Sequence, residues 1–580
     1  MIDMHSVHLV VALSLILTLS ASLASEEIGF ARAIYGPWNY SQDARVGLDA
    51  DYDNKWWTTG PERVLESFRS NSLTAAASNV TYVAGLYYLG DEADFEYVRA
   101  VNEAGQEQSH VPSTVDRAYW LKIIEEPALA VANLSLHDPI WGLVWDFELY
   151  LADDGWETDS YSYDAPALRD YARARGVQIP ELSADQRYGW LRSSGLLGDF
   201  MDWQEEVAYE MARETKEKVH GINPNLSLGI LGFSDSWRYW ATLKGFSGDL
   251  PITLWTEDTY GGYEEGRVEY LRNRTRMMGL NCRVLPGLYT VALSPWRMIE
   301  DMERATRHNG AFWIYQHDGD QYHLADEWTY SRAYEIFNRF IFFNRSRAEP
   351  LPSFYLHPGV VARPYVGPDG ISVLLEPEPG LDPGDEVVLI TDADHLDYVS
   401  TNLSLRELSS NEVSARNLPC IVHGLHHGDL PAIEAWSLLR ELSSLLDAYD
   451  GLGLSEMGDL DSMLEHALSD FEAGRYGEVQ GTLAPVSDRG YHQILDVVYP
   501  LVQEAMRNPR ESDIPLESMR EVSYASDLYQ DGRIAKGNTH LIRGLSYWSQ
   551  AVSEDGTWVF LISLLALILL RHRLRPDFHR

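Results

Sequence analysis

The chain has 580 residues and sets 87 acidic side chains against 46 basic ones, for a formal net charge of −41. That balance excludes nucleic acid as the main partner, because a polyphosphate needs a basic stripe. A hydrophobic content of 45% and an aromatic content of 12% exclude a disordered chain, and the length leaves room for more than one domain. Cys282 and Cys420 are the only two cysteines, so the chain is no disulfide scaffold; one disulfide or two buried thiols stay open. The basic residues are 40 Arg and 6 Lys. An acidic, Lys-poor surface suits solubility in salty water, and a GC-rich genome gives the same bias.

Residues 9–21 (LVVALSLILTLSA) form a short apolar run followed by small residues, which predicts a signal peptide over 1–25; a retained anchor is the alternative. From 28 to about 345, short apolar runs alternate with amphipathic stretches. The strand candidates are 29–36, 80–89, 140–148, 226–233, 251–258, 282–290 and 310–316, with an eighth expected between 40 and 78. Runs that are apolar on both faces belong to a covered parallel sheet. The alternation predicts an α/β fold, a (β/α)8 barrel over 26–345. A doubly wound sheet is the alternative, but no Gly-rich turn follows the first strand. Asp49, Asp51 and Asp53 in LDADYDNKW read as surface acids, since the Gly and distal Glu of a calcium loop are missing.

A small β-rich domain or barrel extension is expected over 346–420, and a helical stalk or bundle over 421–555. His423, His426, His427 and Asp429 cluster in IVHGLHHGD, which reads as a loop; no metal site and no cofactor are expected. Residues 557–570 (TWVFLISLLALILL) precede Arg571, Arg573 and Arg575, which predicts a terminal transmembrane helix over 556–571 and a cytoplasmic tail over 572–580. The bilayer is then one partner, and the N-terminal domains lie outside the cell. Seven N-x-S/T triplets, at Asn39, Asn79, Asn133, Asn225, Asn273, Asn344 and Asn402, fit that side.

A parallel barrel keeps its chemistry at the C-terminal strand ends. The run at 140–148 ends in Trp145-Asp146-Phe147-Glu148. A period of two puts Asp146 and Glu148 on one face, so one carboxyl should hold its proton to higher pH and serve as a general acid. The run at 251–258 leads into Trp255-Thr256-Glu257-Asp258-Thr259-Tyr260, where Glu257 or Asp258 must point inward. Tyr289 ends one strand, and Gln316 and Asp318 follow the last, which contains Trp313. Carboxylates among tryptophans suit carbohydrate: indole packs on the C–H face of a sugar, and acids and amides bind its hydroxyls. Trp145, Trp255, Tyr260, Tyr289, Trp313, Gln316 and Asp318 are therefore the substrate-binding candidates.

These residues make 28–345 resemble the TIM-barrel glycoside hydrolases, most of all the chitinase-like and hyaluronidase-like group. That group ends its fourth strand in Asp-x-Glu, matched by Asp146-Phe147-Glu148, and carries a Trp on its eighth, matched by Trp313. Val144 stands where the longer chitinase motif has a further Asp, and Glu257 where the group has Tyr. The resemblance implies Glu148 as general acid and Asp146 as the residue orienting an acetamido group that acts as nucleophile. The presence of Glu257 and Asp258 leaves an ordinary two-carboxylate mechanism equally open. The sequence thus predicts an extracellular, membrane-tethered glycosidase acting on a polysaccharide or glycan. A non-catalytic carbohydrate-binding or envelope protein on the same scaffold is the rival.

Overall fold

The computed structural model describes residues 30–548, apart from 36–38, 89–95, 149–159, 234–235, 317–323, 343–348 and further interruptions beyond 350. The expected signal peptide (1–25), transmembrane helix (556–571) and cytoplasmic tail (572–580) lie outside the described residues, as does Asp318. Among the described residues no helix is long and apolar enough to cross a membrane. The chain divides into two compact units, Met1–Arg339 and Phe340–Arg580.

The first unit is a closed barrel of eight strands. They are β1 (Arg32–Tyr35), β2 (Ala50–Lys55), β3 (Thr81–Tyr87), β4 (Ile140–Asp146), β5 (Ser227–Gly232), β6 (Ile252–Thr256), β7 (Cys282–Tyr289) and β8 (Phe312–Tyr315). Each pairs in parallel with the next, and β1 pairs with β8 to close the ring. Helices connect them, with local stop signals. Pro295 follows the N-cap Ser294, whose hydroxyl accepts from the Arg297 amide, and Gly310 ends that helix in the left-handed conformation.

Alternate residues of each strand fill the barrel: Ala33, Tyr52, Val83, Val144, Leu231, Trp255, Leu285 and Trp313 share one buried cluster. Large rings fit there because their neighbours are glycine. A Cβ on Gly85 would lie 2.5 Å from the Tyr52 ring, and one on Gly287 would lie 2.8 Å from that of Trp313.

The eighth strand missing from the sequence reading is β2. Its acids are not surface acids. Asp51 and Asp53 are both 0% exposed and alternate with the inward Ala50, Tyr52 and Asn54, so they face the helical layer. Asp53 accepts from Tyr82 Oη at 2.6 Å and Asn71 Nδ2 at 2.8 Å, and pairs with Lys55 Nζ at 2.7 Å. Neither oxygen of Asp51 has a hydrogen-bond partner among the described residues. Burial first, then the charges of Asp43 and Asp53, push its carboxyl well above the ordinary carboxylate range. The reading failed because acids spaced two apart looked like a solvated run, whereas the same spacing puts them on one covered face.

In the second unit an antiparallel sheet runs in the order Glu349–Pro350, Val360–Gly367, Gly370–Pro377, Cys420–Leu425, Leu396–Val399, Leu405–Leu408, and Phe354–His357 also pairs with Val360–Gly367. The first part of IVHGLHHGD is therefore a strand and not a loop, and His423 Nδ1 lies 2.8 Å from Ser372 Oγ. Helices Leu460–Glu472, Tyr476–Arg507 and Leu516–Gln530 share a core that includes Leu483, Ile494, Val498 and Val522. Cys282 and Cys420 are free thiols. Among the described residues no group of three or more His, Cys, Asp or Glu could hold a metal ion.

Asp51 gives a test of the buried acid layer. Its proton affinity is higher folded than unfolded. Its contribution to stability is therefore complete below the unfolded value and is lost as pH rises toward the folded one. Asp51→Asn should gain about 1–3 kcal/mol over the native chain at pH 8, the cost of an uncompensated buried polar group, and almost nothing at pH 4. Urea unfolding at the two pH values measures the difference.

Candidate active site

The inward alternation of β4 continues past its end. Val144 belongs to the barrel core, Asp146 follows on the same face, and Glu148 comes two residues later. Asp146 is 3% exposed. Its Oδ2 accepts from Asn54 Nδ2 at 3.0 Å, and its Oδ1 accepts from the Glu148 backbone N–H at 3.0 Å. The second contact pins the chain as it leaves the strand and so aims Glu148.

Glu257 follows β6 and faces inward like Trp255. It is 5% exposed, its Oε1 accepts from Tyr260 Oη at 2.6 Å, and its carboxyl is within hydrogen-bond reach of Glu148. Between the two acids β5 ends in Gly232, whose φ of +152° suits glycine and where a Cβ would meet the Tyr239 ring at 2.6 Å.

Two carboxyls in contact cannot both ionise cheaply. Burial, then the hydrogen bond and charge of Glu257, push Glu148 up to about 10. Burial also raises Glu257, but only to about 7, because the hydrogen bonds from Glu148 and Tyr260 favour its charged form. The proton therefore stays on Glu148 when Glu257 ionises. Asp146 lies well above the ordinary range, with burial and the Glu148 charge outweighing its two N–H donors.

Tyrosines wall the chamber. Tyr35 and Tyr87 place their hydroxyls 3.1 Å apart. Tyr315 stacks on Tyr35 at 5.0 Å and on Tyr289 at 5.1 Å, and Trp56 stacks on Tyr87 at 4.0 Å. Tyr35, Tyr87 and Tyr315 each end a strand, so the rule that found Asp146 would have found them. Asn54 was missed with its strand.

The other sequence candidates separate. Asp258 turns from the chamber: its Oδ2 accepts from Thr256 Oγ1 at 2.7 Å and its Oδ1 from Arg267 at 3.1 Å. Trp145 packs outward on Phe246 at 5.2 Å, away from any sugar in the barrel mouth. Trp255 and Trp313 are both 0% exposed and sit in the barrel core, where a sugar face cannot stack on them. Gln316 is turned to the following helix and accepts from Tyr334 Oη at 3.2 Å. Tyr289 lines the chamber, and Tyr260, expected to touch substrate, holds Glu257.

No family model matches the chain, and no curated protein matches it. Solved structures similar to it include α-L-fucosidase isoenzyme 2 from Paenibacillus thiaminolyticus, at 12% identity and TM-score 0.37 over 56% of this chain and 51% of that one. A β-galactosidase from the psychrophilic Marinomonas ef1 is similar at 11% identity and TM-score 0.37, over 54% of this chain and 60% of the other. A β-mannanase from the blue mussel Mytilus edulis is similar at 12% identity and TM-score 0.30, over 52% and 83%. The chain thus spans only about half the length of the fucosidase. No residue role is carried across from any of them.

Tyr260→Phe removes the hydroxyl that steadies the Glu257 carboxylate. Glu257 should then titrate above its native value of about 7, because one of the hydrogen bonds that lower it is gone. Carboxyl infrared titration of the variant, with Glu257→Gln to assign the band, checks the shift.

Proposed function

We propose that the chain is a glycoside hydrolase cleaving a polysaccharide or glycan with Glu148 and Glu257. The observation that carries this reading is the buried pair of carboxyls in contact, with unequal proton affinities, at the C-terminal mouth of a parallel barrel. In the form populated between about 7 and about 10, Glu148 is protonated and Glu257 charged. That is the division of labour that glycosidic cleavage asks of two acids.

Glu148 gives its proton to the glycosidic oxygen as the bond to the anomeric carbon breaks. Glu257 attacks the opposite face of that carbon and holds it as a glycosyl ester. Glu148, now charged, takes a proton from water, whose oxygen displaces Glu257. The contact geometry favours this retaining course, since retaining pairs stand ~5–5.5 Å apart and inverting pairs ~6.5–9.5 Å apart, with a water between. A substrate-assisted course would ask Asp146 to hold an acetamido group, yet both its oxygens already accept N–H donors. The tyrosine wall supplies hydroxyls and ring faces for a sugar.

The cellular setting rests on the sequence. The apolar run at 9–21, the seven N-x-S/T triplets and the apolar run at 557–570 followed by arginines support export and a C-terminal membrane anchor. The catalytic barrel would then work outside the cell on surface or environmental carbohydrate.

Glu148→Gln should lower hydrolysis by at least about a thousandfold while sugar binding changes little. A glycan panel read by product mass spectrometry, with binding measured by calorimetry, tests this. Binding without cleavage by the native chain across the panel would turn the assignment to a carbohydrate-binding protein. The pH profile gives a second check. kcat/KM should rise through about 7 as Glu257 ionises and fall through about 10 as Glu148 loses its proton.

A further inference from the structure

Asn54 lies on β2, two strands from β4, and is 6% exposed. Its inward position follows from the alternation Ala50, Tyr52, Asn54. Its two polar ends are used differently. Nδ2 donates to Asp146 Oδ2 at 3.0 Å, while Oδ1 is buried and has no hydrogen-bond partner among the described residues. The orientation of the amide is fixed by its neighbour, since a carboxylate oxygen accepts and so must meet the NH2 end.

The geometry points to Asn54 as a positioning residue for the reaction, one that holds Asp146 through its amide nitrogen and offers its carbonyl oxygen to an O–H or N–H donor of the bound sugar. This rests on the hydrolase reading of the same chamber. With Oδ2 held by Asn54, the Asp146 carboxyl presents Oδ1 to the Glu148 backbone N–H at 3.0 Å. The chain of contacts runs from Asn54 through Asp146 to the turn that carries the proton donor. Without the amide, Asp146 can rotate, and the backbone tether of Glu148 loosens. A buried carbonyl with nothing to accept is a standing cost, which a ligand donor relieves. The residue therefore adds affinity at one end and alignment at the other.

Two near-isosteric variants separate the two ends. Asn54→Leu removes both donor and acceptor; Asn54→Asp removes the donor and keeps an acceptor. The first readout needs no substrate. Infrared titration of the site carboxyls, with Asp146→Asn to assign the band, should show Asp146 holding its proton to higher pH in both variants. The second is hydrolysis of 4-methylumbelliferyl glycosides. Both variants should lose roughly tenfold to a hundredfold in kcat, the scale of a lost hydrogen bond to a charged group. KM should rise clearly in Asn54→Leu and much less in Asn54→Asp. Unchanged Asp146 titration in the variants overturns the proposal, and so does a loss confined to folding yield with kcat and KM intact. If Asn54→Leu does not fold, Asn54→Asp decides by the same two readouts. If the native chain hydrolyses none of the glycosides, the hydrolase reading falls, and the titration still decides what Asn54 does to Asp146.

Discussion

The chamber depends on one electrostatic constraint: Asp146, Glu148 and Glu257 meet where little water reaches them. Ionising a carboxyl there is costly, and ionising two in contact costs more. The site resolves this by unequal treatment. Glu257 receives the Tyr260 hydroxyl, and Asp146 receives two N–H donors. Glu148 has a carboxylate for its neighbour, so the proton rests there. Charge on one acid and a proton on the next follow from which donors each strand end happens to reach.

The barrel beneath supports this arrangement by being filled. Tyr52, Trp255 and Trp313 occupy its interior, and Gly85 and Gly287 leave space for two of those rings. A packed interior gives the strand ends fixed positions and keeps water from screening the acids from below. The tyrosines above continue the same aromatic column into the mouth, where hydroxyls begin to appear among the rings. Apolar support thus grades into a polar chamber over a few residues of each strand.

Much of this was legible in the sequence, and the exceptions have one cause. Strands apolar on both faces announced themselves, and Asp146 and Glu148 stood out because they close such a run. Glu257 and Asp258 could be narrowed only to a pair, since alternation says that one points inward without saying which; the Arg267 contact of Asp258 settles it. Trp145, Trp255 and Trp313 misled as sugar platforms because a tryptophan in a strand looks the same whether it serves the core or the cavity. β2 escaped because its outward face carries acids where a covered strand should be apolar. Asn54 was hidden with it, and with Asn54 the link that holds Asp146.

That alternation in β2 has an evolutionary edge. Two incompatible environments are read out by odd and even positions of one six-residue strand. Shifting its frame by a single residue would carry Asp51 and Asp53 into the lumen and expel Asn54, so packing and chemistry would fail together. Point changes on either face can drift separately, but the strand tolerates neither insertion nor deletion. Its length is therefore under tighter selection than most of its letters.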